Sequence, residues 1–356
     1  LRESLFLTKP SEKNVRWEGS GPSLENVAAL SGIGEVKWME ALEKHLKKVM
    51  EVAENVYLKH PAGETTVSAG EPFPRGSLEM RIVTAFPPRE LHRITPLITR
   101  LRMYKEEEEI ERIRKAIDIT REGFLHVLQA LTPGMKEYEI EAILTYEFIR
   151  RGAEGHAFDP IVGSGENALT LHYISNNDTC QPGELVLMDF GAEYGYYCAD
   201  CSRTVPVSKR YSRRQRQVYE AAQRVFNAAV KMMIPGMYMA DFHAQVGKLW
   251  EKEHVDLGLY SMEEIRRQDP ADPLWKRYYW HGTSHSMGLD VHDPMDRSVP
   301  FGPGMVFSCE PGIYIPPEKT GIRLENNILI TETGQIDLME EIPMAAEEIE
   351  TYLQER

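Results

Sequence analysis

Long apolar runs are missing from this chain. No stretch reaches about 18 consecutive apolar residues, so no segment reads as a membrane-spanning helix. The opening "LRESLFLTKP" lacks the apolar centre of a secretory signal. It also lacks an initiating Met, so the expectation is that an N-terminal portion of a longer protein is absent. Positive charge is scarce: 41 Lys and Arg stand against 55 Asp and Glu, a net charge of -14. Duplex nucleic acid is bound by clustered cations that displace counterions, and no basic run exists here to do so. A nucleic-acid partner is excluded on that ground. Cysteine is rare, with four residues in 356. Cys198 and Cys201 form a CxxC, but a structural zinc site wants a second pair, and there is none. A redox CxxC opens a helix, whereas this one lies inside a strand-like run. The four residues are expected to be free, partly buried thiols in a reducing, cytoplasmic compartment.

What is present is ordinary globular composition, 42% hydrophobic and 27% charged, at a length that suits two domains. The boundary falls near residue 102. Residues 1–102 read as a smaller, partial α/β domain. They include a helix predicted over "VKWMEALEKHLKKVMEVAENVY", with Trp38, Leu42, Leu46 and Met50 at helical spacing. The loop signals "PAGE" and "GEPFPRG" follow. Residues 103–356 open on "KEEEEIERIRKAIDITREGFLHVLQAL", whose Ile110, Ile113, Ile117, Phe124 and Leu128 share one helical face. The acidic run from Glu106 to Glu109 reads as a solvated helix N-terminus that suits the helix dipole.

This second domain echoes itself. "LTPGMKEYEIEAI" and "MIPGMYMADFHAQV" both end one helix, turn at Pro-Gly and begin another. "PGELVLMD" delivers Asp189 seven residues after Pro182, and "PGMVFSCE" delivers Glu310 seven residues after Pro303. Two copies of a helix pair followed by a carboxylate-bearing strand predict a pseudo-symmetric α+β domain with its acids converging near the axis. The repeat is too long for a solenoid.

The stretch "LVLMDFGAEYGYYCADCSRT" carries Asp189 and Asp200 in apolar and aromatic surroundings. Gly191 and Gly195 permit a hairpin-like reversal that returns both carboxylates to one place. Alone this pair says little, because buried Asp often caps a turn. It gains weight from "HGTSHSMGLDVHD", with His281, His285 and His292, from Glu310 in "FSCEPGIYIPP", and from Glu325 in "GIRLENNILI". His285 with four carboxylates is a hard-oxygen set that suits two divalent ions sharing bridging carboxylates: Mn, Co or Zn. Without cations four clustered acids would repel, and some would take up protons. His281 and His285 are not an HExxH zinc pair, because Gly282 and Gly288 argue against a continuous helix.

These motifs, with "EPGIYIP" and "GIRLEN", resemble the pita-bread dinuclear metallopeptidases of the aminopeptidase P group over roughly residues 103–352. The resemblance implies a two-fold pseudo-symmetric pita-bread domain and metal ligands at Asp189, Asp200, His285, Glu310 and Glu325. It implies two divalent ions, Mn favoured, with Co or Zn as alternatives. The substrate-side histidines fall on His172, His281 and His292, and Tyr314 and Arg323 fall beside the substrate. The implied activity is hydrolysis of the first peptide bond in peptides with proline second, through a hydroxide bridging the two ions. In that scheme His292 stabilises the tetrahedral intermediate, His172 and His281 position substrate, and Glu310 shuttles the proton. A dimer or tetramer of identical chains is implied too. Departures from the family pattern are Ser202 in place of the usual Thr, and Ser286 where an aromatic residue is common, which bears on the substrate pocket. Prolidase shares ligands and fold and remains the nearest alternative. A non-catalytic pita-bread binding module is a distant one, since such modules have typically lost ligands.

Overall fold

The computed structural model describes residues 2–59 and 73–354. The loop signal at 61–64 and the first residues of the one at 70–76 lie outside the described residues. The chain divides into two compact units between Ile98 and Thr99, inside the helix Thr95–Met103.

In the first unit, parallel strand pairs alternate with helices. β1 (Ser4–Leu7) is followed by α1 (Glu12–Glu18) and α2 (Leu24–Ser31), then by β2 (Glu35–Trp38), which pairs with β1 in parallel. α3 (Leu42–Met50), β3 (Asn55–Leu58), α4 (Leu78–Ala85) and β4 (Glu90–Arg93) come next, and β3 and β4 are again parallel. Parallel strands need a crossover, which the intervening helices supply. Ser11, Ser23 and Ser77 each accept a backbone N–H at a helix start, a cap of about 1 kcal/mol apiece. The helix predicted across residues 36–57 does not form as one element. Val36 and Trp38 pair with Leu5 and Leu7, helical spacing survives only in α3, and Asn55–Leu58 is strand. Strand pairing of β-branched and aromatic residues at both ends overrides the apolar spacing between them.

Past α5 (Thr95–Met103), the second unit opens on α6 (Glu107–Ala130), which buries Ile110, Ile113, Ile117, Phe124 and Leu128 as their spacing predicts. Glu109 accepts the Glu106 N–H at 2.8 Å, so the acidic run caps the helix. Gly134, at φ +92°, turns the chain into α7 (Glu137–Arg150). Two short strands follow, β5 (Gly155–His156) and β6 (Ile161–Ser164), then β7 (Leu185–Phe190), β8 (Ala192–Tyr194), β9 (Tyr197–Cys198) and β10 (Cys201–Pro206). The second half repeats the plan. α8 (Arg213–Met232) ends at a turn with Gly236 at φ +90°, and α9 (Met239–Asp256) follows. Beyond the short α10 (Met262–Arg267) lie β11 (Val306–Cys309), β12 (Gly312–Ile315), β13 (Thr320–Arg323), β14 (Asn326–Ile330) and β15 (Gln335–Asp337), closed by α11 (Ala346–Gln354).

Each half holds a three-stranded antiparallel sheet, ordered β6–β7–β10 in one and β11–β14–β15 in the other. Each acid-bearing strand is launched from a glycine of nearly identical conformation, Gly183 at φ +86° and Gly304 at φ +85°. A bridge between Ser202 and Glu325 joins the halves. Large side chains such as Trp250, Phe124, Phe148, Phe190 and Phe242 fill the core behind the sheets. No described helix is long and apolar enough to cross a membrane.

Candidate metal centre and active site

Backbone register places the acids. β8 and β9 form a tight hairpin in which Glu193 faces Cys198 and Tyr194 faces Tyr197, with Gly195 and Tyr196 at φ +57° and +69°. Two positive-φ residues are the requirement of a twist-compatible two-residue turn. The hairpin returns Asp200 toward Asp189, and a Cβ on Gly191 would sit 1.8 Å from the Ala199 carbonyl oxygen. In β10, Ser202 faces Asp189 across the ladder and bridges to Glu325 on its other side. On the second half, residues 283–287 run beside β11. Ser308 N–H donates to His285 O, and Glu310 N–H donates to Thr283 O, both at 2.9 Å. His285 and Glu310 are set side by side as a result.

The side chains then meet. Asp200, His285 and Glu325 each offer a ligand atom within 4.8 Å of the others. His285 Nε2 lies 3.3 Å from Asp200 Oδ2, 3.7 Å from Glu310 Oε1 and 3.9 Å from Glu325 Oε1. Asp189 stands with Arg323, whose Nη2 donates to Oδ2 at 2.6 Å. Three buried oxygens, Asp189 Oδ1, Asp200 Oδ1 and Glu325 Oε1, have no hydrogen-bond donor among the described residues. Burial, then the negative charge of Asp189 and Glu310, pushes the Asp200 carboxyl well above its ordinary range. Burial, then Asp200 and Glu310, does the same to Glu325. Burial also raises Glu310, with His285 and Arg323 opposing. A buried acid left without a donor is costly, and Asp200, Glu310 and Glu325 all approach one imidazole, His285. Divalent cations fit that donor set, because they supply the positive charge that the protein withholds.

A second layer of polar side chains holds these acids in place. Ser202 Oγ donates to Glu325 Oε2 at 2.7 Å and accepts from Arg323 Nε at 2.8 Å. The fully buried Asn327 grips the Asp200 backbone, donating to its carbonyl at 2.6 Å and accepting its N–H at 3.1 Å. Arg203, also fully buried, donates to Glu325 O at 2.8 Å and to Asn326 Oδ1 at 2.8 Å. The signal was available: two adjacent Asn in the otherwise apolar "NNILI" imply buried polar groups with fixed partners. The four cysteines are free and buried, and burial pushes the Cys198 and Cys201 thiols up to about 12, so neither is a thiolate.

The residues expected on the substrate side share a cavity of about 320 Å³ with the acids. His172, His281, His292 and Arg323 line it, together with the apolar side chains of Phe158, Leu171, Ile174 and Val291. Tyr314 is fully buried just behind, stacked on Trp280 with ring centres 4.9 Å apart. Arg323 Nη1 donates to the Tyr314 oxygen at 3.1 Å, which leaves the Tyr314 hydroxyl hydrogen for His281 Nε2 at 2.9 Å. His281 Nδ1 then carries the proton and donates to Gly282 O at 2.8 Å. Burial, then the Arg323 charge, drops the His281 pKa to about 3, in keeping with this neutral ring. Both of its nitrogens are engaged within the protein. His292 packs edge-on against His285, ring centres 4.3 Å apart, and burial with the charge of His285 lowers its pKa. Its loop is pinned by Asp293, which is buried between Arg102 and Lys105. Ser286 is 4% exposed, bridged to Phe307, and outside the cavity lining.

Comparison with known proteins bears on this geometry. A family model described as metallopeptidase family M24 matches residues 111–332, which contain every one of these residues except Arg102 and Lys105. The chain belongs to that family. A second model, the aminopeptidase P N-terminal domain, matches residues 1–57. Among curated relatives, Xaa-Pro aminopeptidase of Escherichia coli is 35% identical over 272 residues, covering 72% of this chain and 61% of that protein. Xaa-Pro aminopeptidase of Haemophilus influenzae is 30% identical over 371 residues, covering 99% of this chain and 82% of that protein. This chain thus spans less than two thirds of the length of the first relative, and more of the second. Among solved structures, a glutamate-to-alanine variant of Escherichia coli aminopeptidase P in complex with substrate superposes with a TM-score of 0.86 at 28% identity, over 98% of this chain and 81% of that one. Proline aminopeptidase P II from Yersinia pestis gives a TM-score of 0.84 at 27% identity, over 98% and 82%. The expected pita-bread α+β fold, preceded by a smaller α/β unit, is therefore the fold of this M24 chain.

Proposed function

We propose that this M24 chain is an Xaa-Pro aminopeptidase, hydrolysing the first peptide bond of peptides whose second residue is proline. The observation that carries the reading is the donorless buried oxygens of Asp189, Asp200 and Glu325, with Asp200 and Glu325 grouped about His285. Asp189, Asp200, His285, Glu310 and Glu325 would hold two divalent ions, Mn favoured over Co or Zn. Such ions, when bound, lower the pKa of water to near neutrality and polarise a carbonyl oxygen.

The remaining work falls to the chain's own groups. Glu310, raised by burial, is suited to take the proton of the attacking water and give it to the leaving imide nitrogen. His292, kept neutral by burial and by His285, has an imidazole N–H to offer the oxygen of the tetrahedral intermediate. His172 positions substrate at the cavity edge. His281, neutral and fixed by Gly282, holds Tyr314, and Tyr314 with Arg323 braces Asp189. The apolar wall of Phe158, Leu171, Ile174 and Val291 suits a proline ring, whose imide has no N–H to satisfy. Kinship supports extending the proposal to a homo-oligomer, dimer or tetramer. Four buried, unpaired thiols support a reducing, cytoplasmic setting.

The test is hydrolysis of an Xaa-Pro-Xaa tripeptide beside an Xaa-Pro dipeptide, using metal-free protein reconstituted with Mn²⁺. Release of only the first residue from the tripeptide, with the dipeptide poorer, is expected. Preference for the dipeptide would make the chain a prolidase. Inertness toward both with metal bound would overturn the catalytic reading and favour a binding module.

A further inference from the structure

Glu137, the first residue of α7, is fully buried and has no part in the ligand set described above. Its carboxylate gathers five donors, all from one segment of chain. Oε1 accepts from Ser164 N–H at 2.7 Å, Ser164 Oγ at 2.7 Å and Asn167 Nδ2 at 3.1 Å. Oε2 accepts from Tyr173 OH and Asp178 N–H, each at 2.9 Å. The Glu137 N–H completes a ring by donating to Asp178 O at 3.0 Å. One turn further along the helix, Glu141 accepts from Asn176 Nδ2 at 2.9 Å. Asn176 in turn donates to Pro160 O at 2.8 Å and accepts Val162 N–H at 2.9 Å. Asn176 holds a left-handed backbone, φ +41°, that these bonds stabilise.

The segment so gripped, residues 164–178, carries Leu171, His172 and Ile174 into the cavity. His172 itself is exposed, with no side-chain hydrogen bond found among the described residues. Its position is inherited from the loop. An amide in place of Glu137 would turn its N–H₂ toward a backbone N–H in either orientation, Ser164 on one side and Asp178 on the other, so only a carboxylate satisfies the ring. The positive end of the α7 dipole favours that charge at the same spot. We infer that Glu137 is the positioning residue for His172 and the Leu171–Ile174 wall, acting through Asn167 and Tyr173 from outside the metal centre. The inference rests on His172 being a substrate-binding residue.

Tyr173→Phe loosens the clamp by one donor without burying a charge, and Glu137→Gln breaks it. Amide hydrogen exchange of the metal-free and Mn²⁺-loaded proteins is the first readout. In Tyr173→Phe, exchange across 165–177 should rise about tenfold while the sheets are unchanged. The second readout is a cycle on the proline tripeptide. KM should rise about fivefold with kcat within about twofold, and the same change in a His172→Ala background should add clearly less, leaving only the part carried by the Leu171–Ile174 wall. Unchanged exchange in both variants overturns the clamp, whatever the catalysis. Faster exchange with a KM effect that adds fully to that of His172→Ala overturns the positioning role. If wild type cleaves neither peptide, the aminopeptidase reading fails, and the exchange result still decides the clamp.

Discussion

Ser202→Ala removes one oxygen from the centre of the molecule, and the structure sets what should follow. The hydroxyl is fully buried, donates to Glu325 Oε2 at 2.7 Å and accepts from Arg323 Nε at 2.8 Å. Its loss strands an acceptor on a carboxylate whose other oxygen already lacks a donor, and a donor on a buried guanidinium. Each stranded group costs about 1–3 kcal/mol. Arg323 and Glu325 can close part of the gap on each other, which brings the sum to about 2.5 kcal/mol. For a unit of this size that is a fall in Tm of about 5–10 °C. The deficit should be smallest in metal-free protein and widen by about 1.4–2.7 kcal/mol at saturating Mn²⁺, because a variant that binds the metal 10–100-fold more weakly gains that much less from it. Mn²⁺ affinity should drop about 10–100-fold, the usual effect of losing a group that orients a ligand. Scanning calorimetry with and without Mn²⁺, beside a metal titration, checks both. A metal-free Tm within about 1 °C of wild type would refute the reasoning.

Three further outcomes are expected. His254 is buried, has Tyr260 at 3.0 Å as its one side-chain hydrogen-bond partner among the described residues, and has its pKa lowered by burial to about 3. The unfolded chain takes up that proton near pH 6.5, so stability falls as pH drops through the window from about 6.5 to 3. At pH 5.0 the loss is about 2 kcal/mol relative to pH 7.5. Urea unfolding at both pH values should show this component vanish in His254→Phe; an equal pH slope in the variant would sink the assignment. Gly191→Ala should cost at least about 3 kcal/mol, since its Cβ meets backbone at 1.8 Å. Gly183→Ala, at φ +86° in open space, should cost only about 1–2 kcal/mol, and comparable losses would refute the close-approach argument. Dialysis against a chelator should abolish hydrolysis, and Mn²⁺ should restore it with two ions per chain by elemental analysis. At a free metal concentration 100 times Kd, stability should rise by about 2.7 kcal/mol for each site filled. A plateau at one ion would overturn the dinuclear reading.

How much of this could be read beforehand divides along physical lines. The helix Glu107–Ala130 was legible because long periodic segments carry their own signal. The Gly195 hairpin was legible because its turn chemistry is local. The acids stood out because a carboxylate in an apolar strand is anomalous by itself. Residues 36–57 were misread because pairing with a distant strand, not local spacing, decides the state of Val36 and Trp38. Glu137 was invisible for the same kind of reason. It sits among other glutamates at a helix start, and nothing nearby in sequence reveals donors arriving from 164 to 178.

That contrast explains why the candidate site is so dependent on register. Ser202 faces Asp189 on one side and Glu325 on the other, and its hydroxyl serves Glu325 directly while Arg323 links it to Asp189. A one-residue slip of β10 would turn Ser202 away and present a cysteine or Arg203 instead. The acids therefore cannot be assembled piecemeal. Gly183 and Gly304 start β7 and β11 in the same conformation, and each strand releases its carboxylate at the same distance from the turn. The internal echo is thus the device that brings charges from two halves of the chain to one point. Burial makes that point costly, and the donorless oxygens are where a bound cation would supply the compensation.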